Sequence, residues 1–138
     1  MTAPLLSPAQ TTDVPLAFDE AASTYDLMVR LNPGYHRHLR AAARALLERL
    51  PRRPGQPLRL ADLGCGSGAS TVALVRAVTG SGQPYTLVGV DASEQMLVQA
   101  RAKVWPAEVG FVHGRAEDLS ERRAVWGLAD PVDGVFAA

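Results

Sequence analysis

The first third of the chain carries its apolar residues at helical spacing. A broad stripe of apolar residues at this spacing predicts a helix from Leu16 to about Arg30. The triplet Asn32-Pro33-Gly34 then interrupts the pattern, and a second helix is predicted from Tyr35 to Leu50. Residues 1–15 are rich in Pro, Thr, Ser and Ala and show no period, so we expect a flexible tail before a helical region at 16–57.

After a Pro- and Gly-rich loop the pattern changes to short apolar runs that alternate with helical segments. Four strands are predicted, at 58–63, 86–90, 109–112 and 132–137. Helices are predicted between them, at 69–78, 94–104 and 117–126. Strands that alternate with helices favour an α/β fold, here a Rossmann-like, doubly wound parallel sheet of about four strands over 58–138.

The charge balance excludes some partners. Lys plus Arg and Asp plus Glu both number 14, so no net field points to a nucleic acid or an anionic membrane. The chain has no apolar run of membrane-spanning length, and its single cysteine fits a reducing cytoplasm. His36 and His38 are two residues apart and do not share a helix face, so no metal site is expected. Arg37, Arg40 and Arg44 are interpreted as a solvated helix face.

The most informative segment is a glycine-rich turn between the first strand and the next helix. It contains Gly64, Gly66, Ser67 and Gly68, and it follows Asp62 at the strand end. Glycines there allow a tight turn and let a ligand lie against backbone amides. The spacing also satisfies a dinucleotide fingerprint, so the glycines alone fit two cofactor classes. Asp62 separates them, because a carboxylate would repel a pyrophosphate and attract the ammonium of a methionine moiety, directly or through water.

A second carboxylate, Asp91, ends the next strand and precedes Ala92. An acid in this position can accept hydrogen bonds from both ribose hydroxyls of a nucleoside, although it is also an ordinary helix N-terminal acid. The two features together favour the ribose interpretation. Met96, one turn into the following helix, fits either an adenine contact or the core.

The loop after the third strand supplies a further candidate contact. Backbone N–H groups at Arg115 and Ala116 could read the edge of an adenine, and Glu117 is a weaker candidate because acids are common in a first helical turn. Cys65 has no thiol-activating partner in its neighbourhood and is not expected to be a nucleophile.

Taken together, these residues resemble the class I S-adenosylmethionine-dependent methyltransferases. The resemblance is carried by Leu60–Gly68, by Val88–Asp91, by Gly114–Leu119 and by the segment Asp133-Gly134-Val135-Phe136. It implies S-adenosylmethionine as cofactor and direct methyl transfer to a small-molecule acceptor, with no general base assigned. Arg115 stands where the family more often has Asp or Asn.

The N-terminal stretch Phe18-Asp19-x-x-Ala22-x-x-Tyr25-Asp26-x-Met28 is similar to the cap helix of the subgroup that methylates ubiquinone and menaquinone precursors. The resemblance gives Tyr25 a role in covering the cofactor, and a helix-core aromatic is the alternative. A complete family member continues beyond the fourth strand, so the chain is expected to be C-terminally truncated. Its exposed sheet edge could then pair with a second copy.

Two other functions stay open at this point. A nicotinamide-dependent oxidoreductase domain would use the same glycine turn, and Asp62 argues against it. A remnant that binds the cofactor or a partner without turnover would also fit a truncated sheet.

Overall fold

The computed structural model describes residues 31–51, 55–128 and 131–137. Within them the chain forms helix α1 (Pro33–Arg49), strand β1 (Leu58–Leu63), helix α2 (Ala69–Ser81) and strand β2 (Tyr85–Asp91). Helix α3 (Glu94–Arg101) and strand β3 (Val109–His113) follow. A 3₁₀ turn (Ala116–Asp118), a short helix α4 (Leu119–Arg122) and strand β4 (Gly134–Phe136) complete the described elements. The helix predicted at 16–30, with Tyr25, lies outside the described residues.

The four strands form one parallel sheet in the order β3-β2-β1-β4. The predicted Rossmann-like parallel sheet is confirmed. Leu60 of β1 lies beside Leu87 of β2 and Gly134 of β4, and Asp91 of β2 lies beside His113 of β3. In a parallel sheet the carboxyl ends of all strands meet at one edge, which places both acidic strand ends there.

Apolar side chains pack on both faces of the sheet. On one face, Leu60, Leu74 and Leu87 are fully buried between β1, β2 and the two helices α1 and α2. On the other face, Ala61 and Val90 pack with Trp126 and Leu128. Alternate strand residues therefore point to opposite faces, as the pleat requires. None of the described helices is long and apolar enough to cross a membrane.

Several predicted boundaries were wrong, and helix α2 continues to Ser81, three residues beyond its predicted end. Helix α1 begins at Pro33, two residues early, because the Asn32 side chain accepts a hydrogen bond from the Tyr35 amide and proline fits the first helical position. Helix α3 ends at Arg101, before Trp105, whose indole N–H donates to the Ala100 carbonyl at 2.7 Å.

The helix predicted at 117–126 is also corrected. Only Leu119–Arg122 is α-helical, after one 3₁₀ turn, and the backbone reverses at Gly127 with φ +81°. Trp126 is buried against Gly114, where a Cβ would clash with the indole ring. The fourth strand is shorter than predicted, and pairs with β1 over three residues.

Candidate cofactor-binding site

The glycine turn lies at the carboxyl edge of the sheet, between β1 and α2. Gly64, Gly66 and Gly68 all have positive φ values, of +70°, +55° and +102°. Such angles are costly for residues with a Cβ, which explains three glycines in five positions. Among the described residues, no heavy atom outside the chain neighbours lies within 4 Å of the positions a Cβ would take at Gly64 and Gly66. The turn therefore presents open backbone.

Asp62, at the end of β1, is completely buried beneath this turn. Its Oδ2 accepts hydrogen bonds from the hydroxyls of Ser70 at 2.8 Å and Thr71 at 2.7 Å, both on α2. Burial raises the pKa of this carboxyl from 3.8 to about 6, against the lowering effect of the two hydroxyls, and nearby Asp91 adds to the rise.

Two buried polar atoms of the turn have no hydrogen-bond partner among the described residues. They are Oδ1 of Asp62 and Oγ of Ser67. Buried polar atoms in folded proteins are usually paired, so unpaired ones mark a position for a ligand or an ordered water. Oδ1 of Asp62 suits a positively charged donor, because a nearby positive charge stabilises the ionised form of the carboxyl.

Asp91, at the end of β2, is held by two backbone amides. Its Oδ2 accepts from the Gly66 amide at 2.8 Å, and its Oδ1 accepts from the Ser93 amide at 2.9 Å. Each carboxylate oxygen can accept a second hydrogen bond. The side chain is thus fixed between the glycine turn and the start of α3 with acceptor capacity left on both oxygens.

The start of α3 surrounds Ala92. Ser93 caps the helix through a hydrogen bond from the Met96 amide to its hydroxyl at 3.2 Å. Met96 itself is 3% exposed, which agrees with the core alternative for its side chain. His113 donates from Nε2 to the Ala92 carbonyl at 2.8 Å, and its Nδ1 lies 3.0 Å from Oε1 of Glu94.

The loop after β3 comes close to Asp91 through its backbone. The Gly114 amide donates to the Asp91 carbonyl at 2.9 Å. Arg115 is extended (φ −101°, ψ 143°), and Ala116 and Glu117 begin the 3₁₀ turn. All three are exposed. The predicted candidates on this loop therefore lie at the same sheet edge as the two carboxylates.

Two residues that sequence reasoning missed pack against the glycine turn. Lys103 donates from Nζ to the Ser67 carbonyl at 2.7 Å. The Trp105 ring fills the space beside Gly68, where a Cβ would lie 2.9 Å from its Cζ2 atom. Both follow α3, and no local pattern links them to a turn more than thirty residues earlier. In the sequence, only the Trp105-Pro106 pair indicates that the chain leaves the helix there, and it does not indicate a contact with the glycine turn.

Cys65 lies inside the turn and is buried. Burial raises the pKa of its thiol well above the ordinary value, and the carboxylates of Asp62 and Asp91 raise it further. A thiol in this state is a poor nucleophile. Among the described residues, no group of three His, Cys, Asp or Glu side chains could hold a metal ion.

A methyltransferase-domain family model matches residues 60–136, which is more than half of the chain. The trans-aconitate 2-methyltransferase of Streptomyces avermitilis is 35% identical over 102 residues, which cover 72% of this chain and 35% of that protein. The chain spans about a third of the length of the curated relatives it matches.

Solved structures show the same similarity. In a Haloferax volcanii complex of the Trm112 methyltransferase activator with a methyltransferase, the similar chain is 28% identical, with a TM-score of 0.51. The match covers 73% of this chain and 39% of that one. The DszA carbon methyltransferase has a TM-score of 0.61 at 22% identity, covers 88% of this chain and 33% of that one, and shows the shared fold.

Proposed function

The chain belongs to the methyltransferase-domain family, and from this premise we propose that it binds S-adenosylmethionine and donates the methyl group to a small-molecule acceptor. The observation that carries the proposal is the pairing of two carboxylates at one sheet edge. Within the described part of the chain, Asp62 has one buried oxygen without a hydrogen-bond partner, and Asp91 accepts from two amides and keeps acceptor capacity on both oxygens.

The proposed contacts follow from the chemistry of these groups. The Asp62 carboxylate takes the ammonium of the amino-acid moiety, directly or through a water, and thereby gains a partner for Oδ1. The Asp91 carboxylate accepts from the two ribose hydroxyls. The open backbone at Gly64, Gly66, Ser67 and Gly68 lies against the amino-acid end. The adenine end of the cofactor contacts four further residues, Ala92, Arg115, Ala116 and Glu117.

The protein's contribution to the chemistry is alignment. When bound, S-adenosylmethionine supplies an electrophilic methyl group on its sulfonium. Asp62 and Asp91 hold the two ends of the molecule, and they fix its direction relative to the carboxyl edge of the sheet. Holding reactants in line can supply much of the reduction in the barrier, so no side chain of this chain is assigned as a base.

The acceptor is proposed to be a small molecule. The relative from Streptomyces avermitilis carries the name of an enzyme acting on trans-aconitate, a small-molecule acceptor, and supports that class. The helical region at 16–57 is proposed as a cap, with Tyr25 covering the cofactor. A cytoplasmic location fits the single cysteine, and pairing of two copies through a sheet edge is proposed for the assembly.

Calorimetric titration with S-adenosylhomocysteine tests the proposal. We expect saturable one-to-one binding that a nicotinamide dinucleotide does not displace. A folded sample that shows no heat of binding would overturn it. Displacement by the dinucleotide would favour the oxidoreductase alternative, in which the glycine turn holds a pyrophosphate. Binding without methyl transfer to any acceptor would favour the remnant without turnover.

A further inference from the structure

A groove between helices α1 and α2 is lined by arginines from both helices. It comprises two adjoining cavities of about 310 and 210 Å³. Arg37 and Arg40 line the larger cavity, Arg40 and Arg44 line the smaller one, and Arg76 of α2 lines both. Four arginines of two neighbouring helices therefore line a pair of cavities that share Arg40, Ala73 and Arg76.

The helical spacing explains why these side chains meet. Arg37, Arg40 and Arg44 are three and four residues apart, so they follow one face of α1. Arg76 projects from α2, which packs alongside. The pattern on α1 alone predicts a solvated face, and the second helix converts that face into one wall of a groove.

The charges in the groove are unbalanced. Neither cavity has an Asp or Glu in its lining. Within the described parts of the chain, no carboxylate lies at ion-pair distance from any of the four guanidinium groups. The nearest acid along α1, Glu48, lines a separate cavity beyond Arg44. Like charges at this spacing repel, in a chain whose net charge is zero, so an anion in the groove would relieve the repulsion.

The floor of the groove is apolar. Leu39 of α1 and Ala73 of α2 are at most 5% exposed, and they line the larger cavity together with half-buried Val72 and the exposed arginines. This combination fits a carbon skeleton that carries several negative groups better than it fits a bare inorganic anion. Arginine's planar guanidinium also matches the geometry of a carboxylate through paired hydrogen bonds.

We propose that this groove is a binding site for a small organic polycarboxylate. The larger cavity reaches Ala69, the first residue after the glycine turn, so the bound anion lies next to the turn. The proposal concerns a separate site and does not depend on methyl transfer by this chain.

Calorimetric titration with citrate tests the site, with inorganic phosphate and glycerol as comparison probes. We expect saturable citrate binding that weakens with added salt, because the guanidinium groups are exposed to solvent. Arg40→Gln and Arg76→Gln should each reduce citrate affinity about fivefold, the upper range for one exposed charge pair. Arg49→Gln is the matched control, because Arg49 lies on the same helix and lines neither cavity.

Thermal unfolding of each variant separates lost binding from lost folding, and the three substitutions should leave the unfolding temperature within a few degrees of the parent. The proposal is overturned if citrate does not bind, or if Arg49→Gln weakens binding as much as Arg40→Gln. It is also overturned if phosphate binds as tightly as citrate, since the apolar floor would then play no part.

Discussion

Lys103 donates a hydrogen bond from its ammonium to the Ser67 carbonyl at 2.7 Å, although 36 residues separate them along the chain. Lys103 follows helix α3, and Ser67 belongs to the glycine turn after β1. The bond links the segment after helix α3 to the turn that precedes helix α2. Since that carbonyl has a charged donor, the bond favours one orientation of the peptide plane between Ser67 and Gly68.

Lys103→Met should therefore reduce cofactor affinity, by freeing the turn, more than it reduces the free energy of unfolding. We expect affinity for S-adenosylhomocysteine to fall about fivefold, or about 1 kcal/mol, the lower range for a half-exposed hydrogen bond to a charged group. Calorimetry measures the affinity, and Lys103→Arg should restore much of it.

Arg101→Gln serves as the control for this prediction. Arg101 makes the same kind of bond, but it donates to the Phe111 carbonyl of β3, at 3.1 Å, instead of to a carbonyl of the turn. Equal losses of affinity in the Lys103 and Arg101 variants would contradict a positioning role for Lys103.

Comparing Gly68→Ala with Gly64→Ala separates the cost of backbone strain in the turn from the cost of a steric clash. Both glycines have positive φ, but among the described residues only the Gly68 Cβ would meet a side chain, at 2.9 Å from the Trp105 ring. We expect Gly64→Ala to lower the free energy of unfolding by about 1 kcal/mol through the backbone alone. Gly68→Ala should lower it by about 3 kcal/mol, since overpacking adds to the backbone cost.

Urea unfolding measures both variants. Trp105→Leu in the Gly68→Ala background should recover part of the loss, because it removes the clash and leaves the backbone cost. No recovery, or equal costs at the two glycines, would mean that the Trp105 ring yields freely and contributes no steric limit.

Asp91→Ala should weaken binding of S-adenosylhomocysteine by about 2 kcal/mol, the scale of hydrogen bonds to a charged group. The substitution removes the proposed ribose acceptor and also the acceptor for the Gly66 and Ser93 amides. Ser93→Ala is a useful comparison, because it removes the helix cap and leaves the Asp91 carboxylate in place. If Asp91→Ala leaves the calorimetric affinity unchanged, the ribose assignment is wrong.

Local sequence pattern predicted the strands well and the ends of the helices poorly. Strand β1 has the predicted bounds, because a run of apolar residues between a proline loop and a glycine turn leaves little choice. Helix α3 ends three residues before its predicted end, because Lys103 and Trp105 contact the glycine turn. That contact joins segments far apart in the chain, so the local hydrophobic pattern cannot predict it.

The site shows the same division. Asp62 and Asp91 were expected at strand ends and the three glycines in the turn after the first strand, and the parallel sheet brings these positions to one edge; their contacts with a cofactor stay a prediction. The amide bonds from Gly66 and Ser93 to Asp91 were not predicted, since they depend on how the turn folds back over β2. The arginine groove required two helices to pack side by side, and Arg76 gave no signal of its own.

The stability of the protein should fall as the pH rises through 6, because of Asp62. The folded state raises the pKa of this carboxyl from 3.8 to about 6 by burial, so folding favours the protonated form. The stabilising contribution is complete below pH 3.8 and is lost as the pH rises through about 6. In urea unfolding, Asp62→Asn should exceed the parent in stability at pH 8 by up to about 3 kcal/mol, and by much less at pH 4. A difference that does not change with pH would contradict the assignment to Asp62.

Cofactor binding should show the opposite pH dependence, because the ammonium of the amino-acid moiety requires the ionised Asp62. At pH 5 only about a tenth of a carboxyl with a pKa near 6 is ionised, so affinity for S-adenosylhomocysteine should be about tenfold weaker than at pH 7.5. Methylthioadenosine, which keeps the nucleoside and lacks the amino-acid moiety, is the matched control ligand and should bind equally at both pH values. Calorimetry in buffers of different ionisation enthalpy should also detect proton release on binding near pH 6, since the cation lowers the pKa of Asp62. If both ligands lose affinity in parallel at low pH, the dependence comes from another group, and Asp62 does not hold the ammonium.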